Sequence, residues 1–252
     1  MIADFARGFG YAFQGFSLVR RPGIRRYAVA PLLVNAILFG IGLWYGASEF
    51  ARFMDWLLPQ WLDWALVRAL LWLVFAVAAA LALFYAFTLI ANLIAAPFNG
   101  LLSERVERHL RGARGREGTE RGLVAEVGAS FGAEVRKMIY LALWSVPLLL
   151  LFLVPVVNLI APLLWLAFGA WMMALEYTDC PLGNHGVVFS EGRRLVGRRR
   201  GLALGFGAAV MIVTVIPGLN LVAMPVAVAG ATALYVEELA GLVAARNDRA
   251  ME

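Results

Sequence analysis

Charge is what this sequence has least of. Of its 252 residues only 15% are Asp, Glu, Lys or Arg, whereas 62% are hydrophobic and the mean hydropathy is +0.77. Soluble domains carry about 25% charged residues, so composition alone excludes an ordinary water-soluble globule and points to a bilayer protein. A single cysteine, Cys180, excludes an internal disulfide. No histidine and no acidic residue falls inside an apolar run, which removes the usual elements of an intramembrane proton relay. A GK[S/T] phosphate loop, an HExxH motif and a nucleophile elbow are all missing. Their absence argues against ATP hydrolysis and against enzyme chemistry. The first 20 residues contain Asp4 and Arg7 and have no continuous apolar core, so no secretory signal is expected.

The few charges are segregated. Residues 27–48, 69–103, 138–175 and 201–236 contain none at all. The intervening stretches carry +4 (1–26), −1 (49–68), +2 (104–137), +2 (176–200) and −2 (237–252). A pI near 9.8 could suggest nucleic acid, but these arginines flank apolar segments, where cytoplasmic retention of Lys and Arg explains them more simply. No nucleic-acid partner is expected. The N-terminus and the stretch from residue 104 then lie in the cytoplasm, and 49–68, with Trp56, Trp61 and Trp64, faces the other side.

Residues 2–20 read as an amphipathic helix on the membrane surface. Phe5, Phe9, Phe13 and Phe16 share one face, which either enters the headgroup boundary or packs on the protein's own bundle. Residues 22–47 and 69–111 read as two long transmembrane helices, since each exceeds the roughly 20 apolar residues of one crossing. The second continues past Pro97 into a charged stretch, where Glu104–Arg108 and Glu107–Arg111 have the spacing of helical ion pairs. Residues 112–122 read as a glycine-rich turn.

The last two apolar runs are each broken in the middle. "VPVVNLIAP" at 154–162 and "IPGLNLVAMP" at 216–225 align so that Pro155, Asn158 and Pro162 match Pro217, Asn220 and Pro225. "NLIAAP" at 92–97 is a partial third echo. The arms on either side hold only 11 to 17 residues, short of a full span. Residues 138–175 and 201–236 therefore read as re-entrant helical hairpins. Their freed backbone would be satisfied by protein, by the Asn158 and Asn220 side chains, or by water lining a cavity. A six-span bundle with tight outer loops is the competing reading.

Two places could handle an anion. In Pro22-Gly23-Ile24-Arg25-Arg26 a proline suited to a helix start precedes two arginines, and glycine lets a ligand approach the backbone. Unpartnered N–H groups at such a start, together with guanidinium donors, suit sulfate or phosphate. Arginines beside a span are equally ordinary topology residues. Glu104, Arg105, Glu107, Arg108 and Arg111 form the second place, either lining an entrance or making a solvated helix. Glu176, Asp179, Cys180 and His185 are metal-capable, but without spaced partners they read as a cytoplasmic turn. No metal or cofactor is expected.

"VRRPGIRRYAVAPLLVN", "AAPFNGLLSERVE" and "EYTDCPLGNHG" together resemble the CysZ family of bacterial sulfate permeases, over about residues 5 to 245. The resemblance implies an all-α inner-membrane protein with two long transmembrane helices and two hemi-penetrating hairpins, assembled as a homo-oligomer of dimers in the lipid bilayer. It implies ATP-independent uptake of sulfate for cysteine biosynthesis. It implies sulfate binding at Gly23, Ile24, Arg25 and Arg26, with Ile24 where the family motif has Leu or Ile. It also implies a pathway past the charged end of the second long helix, where Glu104, Arg105, Arg108 and Arg111 stand. A membrane scaffold that binds sulfate without conducting it is the alternative.

Overall fold

Leucine, alanine and phenylalanine runs without buried polar interruptions leave the backbone one economical way to satisfy itself, the helix. The computed structural model describes residues 1–57, 65–112 and 123–251, and among them only helices and turns occur. The helices are α1 (Ile2–Val19), α2 (Arg25–Leu57), α3 (Ala65–Arg111), α4 (Leu123–Leu150), α5 (Ala161–Asn184), α6 (Phe189–Gly197), α7 (Arg200–Val215), α8 (Asn220–Leu234) and α9 (Ala240–Met251). A π-helical turn, Tyr235–Leu239, joins α8 to α9, and two short 3₁₀ turns, Leu151–Leu153 and Val157–Leu159, lie between α4 and α5. Trp61, Trp64 and the glycine-rich stretch beyond Gly112 lie outside the described residues.

Among the described residues, three helical segments are long and apolar enough to cross a membrane: Arg25–Phe53, Arg136–Leu153 and Asn220–Arg246. The helix α3 runs its 47 residues without a break at Pro97, a rod of about 70 Å.

Contacts divide the chain into two compact units, Met1–Ala28 with Asn99–Glu252, and Val29–Phe98. In the second unit α2 meets α3 through Phe50, which stacks on Phe75 (3.7 Å) and meets Trp72 edge-on (4.7 Å). Many of its described large apolar side chains, Leu33, Ile37, Trp44 and Val74 among them, are exposed. Apolar exposure on that scale is untenable in water and ordinary against lipid.

The first unit contains the core. Leu202, Phe206, Val210, Val228, Leu234 and Tyr235 are buried between α1, α5, α7 and α8. Glycines set how closely these helices approach. A Cβ on Gly8 would lie 2.0 Å from the Leu202 carbonyl oxygen, and one on Gly205 would lie 2.0 Å from that of Phe5. The two substitutions are reciprocal, so α1 and α7 cross backbone to backbone. Gly15 meets the Val226 carbonyl at 2.2 Å in the same way, and Gly207 meets that of Ala170 at 1.7 Å. Close approach through small residues is how membrane helices gain contact when lipid removes the hydrophobic drive between them.

This settles which face of α1 packs. Gly8, Tyr11, Ala12, Gly15 and Leu18 are its buried residues, while Phe5 and Phe13 remain exposed. The phenylalanine stripe is split: Phe9 packs against the edge of the core and Phe16 is half-buried, while Phe5 and Phe13 face outward.

Candidate anion site at the start of α2

Arg20 ends α1, and Arg21-Pro22-Gly23-Ile24 makes a turn in which Gly23 adopts φ +88°. Proline at the second position and a left-handed residue at the third define a type II turn, for which glycine is the natural choice. The Ile24 N–H closes it onto the Arg21 carbonyl (3.2 Å), and the Arg25 N–H reaches the same oxygen (3.1 Å). Helix α2 therefore opens at Arg25, with Pro22 in the turn before it. Ile24 is buried and anchors the turn, whereas Arg25 and Arg26 are exposed. Of the backbone donors here, those of Gly23 and Arg26 have no acceptor among the described residues, while that of Ile24 is engaged. A Cβ at Gly23 would meet nothing within 4 Å, so space for a ligand lies open beside the backbone.

The same backbone device recurs at the two breaks. Val156, directly after Pro155, has φ +72°, and Gly218, directly after Pro217, has φ +84°. In all three turns the amide three residues beyond the proline (Arg25, Asn158 and Asn220) donates to the carbonyl just before it, at 3.1, 3.0 and 3.1 Å. Glycine fills the left-handed position in two cases. In the third a β-branched valine is forced into it, an outlier for such a residue.

The structure brings the turn together with the charged end of α3. The Arg105 Nε donates to the Tyr27 hydroxyl (3.0 Å), and Arg26 donates to it as well (3.2 Å). Both guanidinium groups also lie over the Tyr27 ring, at 5.3 and 4.9 Å. The Arg21 guanidinium stands 2.5 Å from His109 Nε2. Two arginines are thus held by one tyrosine, while Arg25, next in sequence, is exposed.

Farther along α3, Glu107 is buried and fully engaged. Arg111 pairs with it at 3.2 Å and His185 Nε2 lies 2.8 Å away. His185 stacks on Tyr235 (4.9 Å), over which Arg111 also sits (5.7 Å). Of the two ion pairs expected from spacing, Glu107–Arg111 forms. Glu104–Arg108 does not: Arg108 is exposed with no partner among the described residues. Neighbouring links fix this end of the helix, with Asn184 Nδ2 donating to the Gly100 carbonyl (3.1 Å) and the Thr232 hydroxyl 2.9 Å from Ser103 Oγ.

Asn158 and Asn220 are not part of this cluster. Asn184, at the cluster, and Asn158 lie at opposite ends of the 24-residue α5, about 36 Å apart at 1.5 Å per residue. Asn220 begins α8, whose far end adjoins Tyr235, about 22 Å away. Both asparagines are exposed at apolar tips, near Val156, Leu159, Val215 and Leu221.

The metal-capable group read from 176–186 is divided in two. Lys137, buried, holds Asp179 (2.9 Å) and Glu176 (3.3 Å), while His185 faces Glu107. Burial, with the charge of Asp179 adding to it, pushes the Cys180 thiol up to about 12. At α1, the Tyr11 hydroxyl donates to Glu237 (2.8 Å) and lies 3.3 Å from Glu238. Burial first, then that bond, raises its pKa well above the ordinary tyrosine value. Glu238 in turn pairs with Arg7 and with Arg199 (3.6 Å), which pins α1 to the π-helical turn.

Sequence reading found the arginines but not Tyr27, His109 or Tyr235, and it singled out His185 only as a metal-capable residue and not as the partner of Glu107. A tyrosine directly after a basic pair was the available signal for the first. The others depend on contacts spanning 78 residues or more.

Similarity to known proteins now bears on this arrangement. A family model described as "Sulfate transporter CysZ/Etoposide-induced protein 2.4" matches residues 11–225. Three proteins named "Sulfate transporter CysZ" are similar over nearly all their length. The one from Pectobacterium atrosepticum is 40% identical over 250 residues, covering 96% of this chain and 89% of the relative. That from Vibrio parahaemolyticus is 40% identical over 235 residues (92% and 94%), and that from Pseudomonas fluorescens is 39% identical over 241 (94% and 96%). A match this extensive, across both apolar units and the arginine turn, means that the chain belongs to the sulfate transporter CysZ/etoposide-induced protein 2.4 family.

Proposed function

We propose that this protein takes up sulfate across a bacterial inner membrane as an ATP-independent, channel-like permease supplying cysteine biosynthesis. The observation that carries the reading is the Arg25–Arg26 turn, with its open glycine, joined through Tyr27 to the charged end of α3 in a chain whose relatives are named as sulfate transporters. Sulfate is a divalent tetrahedral anion. Two guanidinium groups supply matching charge and planar donors, and the N–H groups of Gly23 and Arg26 supply directed ones at the positive end of the α2 dipole. Ile24 contributes by burial, holding the turn in shape. Arg105, tied to Tyr27, leads onward, and the half-buried Glu104 and exposed Arg108 set the local charge along the route with Arg111 behind them.

In the membrane, α2 and α3 are read as the two full crossings and the remaining pairs as hemi-penetrating hairpins. The supporting argument is length. The 16 residues of α7 reach about 24 Å, less than the ~30 Å hydrocarbon core, and a hairpin enters no deeper than its shorter arm. Between Ala161 and Glu176 the apolar arm of α5 is equally short. Exposed apolar tips suit a turn held within lipid, and Asn158 and Asn220 there offer the amides a hydrated cavity needs. The N-terminus is placed in the cytoplasm by its arginines, and oligomers of dimers complete the reading.

The test is radiolabelled sulfate uptake into proteoliposomes of the purified protein, wild type beside Arg25→Ala/Arg26→Ala. Saturable flux without ATP, reduced in the double variant, is expected. Flux equal in both discards the site and keeps the transporter. Binding without flux in either establishes the non-conducting scaffold instead.

A further inference from the structure

Five arginines crowd residues 193–200, and membrane topology accounts for their number but not for where they point. Four of the five have identifiable positions. Arg193 lies over the Tyr140 ring (4.6 Å), Arg199 pairs with Glu238 (3.6 Å), and Arg194 in α6 stands four residues before Arg198, which caps that helix. Arg194 and Arg198 are exposed and have no partner among the described residues. Like charges at that spacing repel, so this end of α6 is left unneutralised. It forms one wall of a cleft of about 260 Å³ between α6 and α9, lined by Glu191, Arg194, Leu195, Arg198, Leu242 and Arg246. Arg246 is held by Glu191 at 2.5 Å. Among the described lining residues three guanidinium groups stand against one carboxylate, an excess of two positive charges, and the two leucines add apolar surface.

We infer that this cleft is a second anion site, distinct from the Arg25–Arg26 turn, for a phosphate monoester: a dianion whose charge meets the arginines and whose ester carbons rest on Leu195 and Leu242. The charge matches, since a monoester carries between about 1.5 and 2 negative charges at pH 7. Guanidinium forks bind such oxygens in pairs. The volume is just under the ~300 Å³ at which drug-sized pockets begin, so it takes a headgroup and not a large molecule. Such a group comes either from a lipid, as in phosphatidic acid, or from a soluble ester such as AMP. The site does not depend on sulfate transport by this chain.

The experiment uses the full chain purified in detergent, as wild type, Arg194→Gln/Arg198→Gln, Glu191→Gln and Arg25→Ala/Arg26→Ala. AMP binding is measured by equilibrium dialysis, and phosphatidic acid against phosphatidylcholine by native mass spectrometry. At least one probe is expected to bind wild type over its neutral control, about tenfold more weakly to the Arg194/Arg198 variant, more tightly to Glu191→Gln, and unchanged to the Arg25/Arg26 variant. Which probe binds identifies the source of the phosphate. Neither Arg194 nor Arg198 makes a contact that the fold needs, and Glu191→Gln predicts a gain, so loss of structure cannot imitate the result. Binding of neither probe, equal binding to wild type and the Arg194/Arg198 variant, or loss in the Arg25/Arg26 variant alone would overturn the assignment.

Discussion

The crossing of α1 on α7 is the sharpest point at which to test the packing. Gly8→Ala places a methyl 2.0 Å from the Leu202 carbonyl oxygen, and real Cβ contacts essentially never fall below 3.0 Å. The helices must separate by about 1 Å or shear, and a gap of that size forfeits a quarter to half of the dispersion energy of the surfaces it opens. Tyr11, Ala12 and Leu18 share that face, so the cost falls at the upper end of overpacking, about 3 kcal/mol. For a chain of this length that lowers Tm by about 6–12 °C. Gly205→Ala meets the Phe5 carbonyl at the same 2.0 Å and costs the same. Once one methyl has parted the helices the second has room, so the double variant is expected at about 4 kcal/mol, well short of the sum of the singles. Gly10→Ala on the same helix is the control. Its methyl meets nothing within 4 Å, and replacing an unhindered helical glycine stabilises by about 0.5–1 kcal/mol. Thermal unfolding in detergent, followed by a thiol-reactive dye on Cys180, reads all four. Additive singles, or a Gly8→Ala Tm no lower than that of Gly10→Ala, would refute the interlock.

Val156→Gly relieves a β-branched residue from φ +72°; because its side chain is exposed, little packing is lost and the variant is expected to be more stable by about 1 kcal/mol in the same melt. Tyr27→Phe removes the hydroxyl that receives both Arg105 and Arg26 while keeping the ring beneath them; sulfate affinity, measured by equilibrium dialysis, is expected to fall about threefold to tenfold with Tm nearly unchanged, and an unaltered affinity would detach Tyr27 from the site. Alkylation of Cys180 by iodoacetamide is expected to stay slow in the folded protein until pH approaches 12, where its thiolate forms, and to become fast at pH 9 once the chain is unfolded. The same shift takes stability from the folded state as pH climbs from about 9 to about 12, since only the unfolded thiol ionises across that window.

How much of this was legible in the sequence follows from which residues carry each feature. Continuous apolar runs mark helices directly, because a helix alone lets a single segment satisfy its own backbone in lipid, and the passage of α3 through Pro97 into the charged stretch follows from helical spacing on both sides. The two breaks were legible as a repeat of prolines and asparagines. What the repeat does was not, since no propensity places a valine at positive φ. Only the structure shows that Pro22-Gly23, Pro155-Val156 and Pro217-Gly218 make the same turn. Which face of α1 packs stayed open in the sequence for a related reason. Four phenylalanines dominate any hydrophobic count, yet close crossings are decided by residues that barely register in one, and Gly8, Ala12 and Gly15, spaced by four and three, were the quieter signal. Arg25 and Arg26 were found because charge beside an apolar run is conspicuous. Their support was not, because spacing along one helix cannot tell that Arg105 would turn to Tyr27, across 78 residues, and leave Arg108 unpaired. An anion site in a protein of this kind is thus half written in local sequence, as cations and a permissive turn. Its other half is written in distance, as the aromatic and acidic groups that decide which of those cations remain available to a ligand.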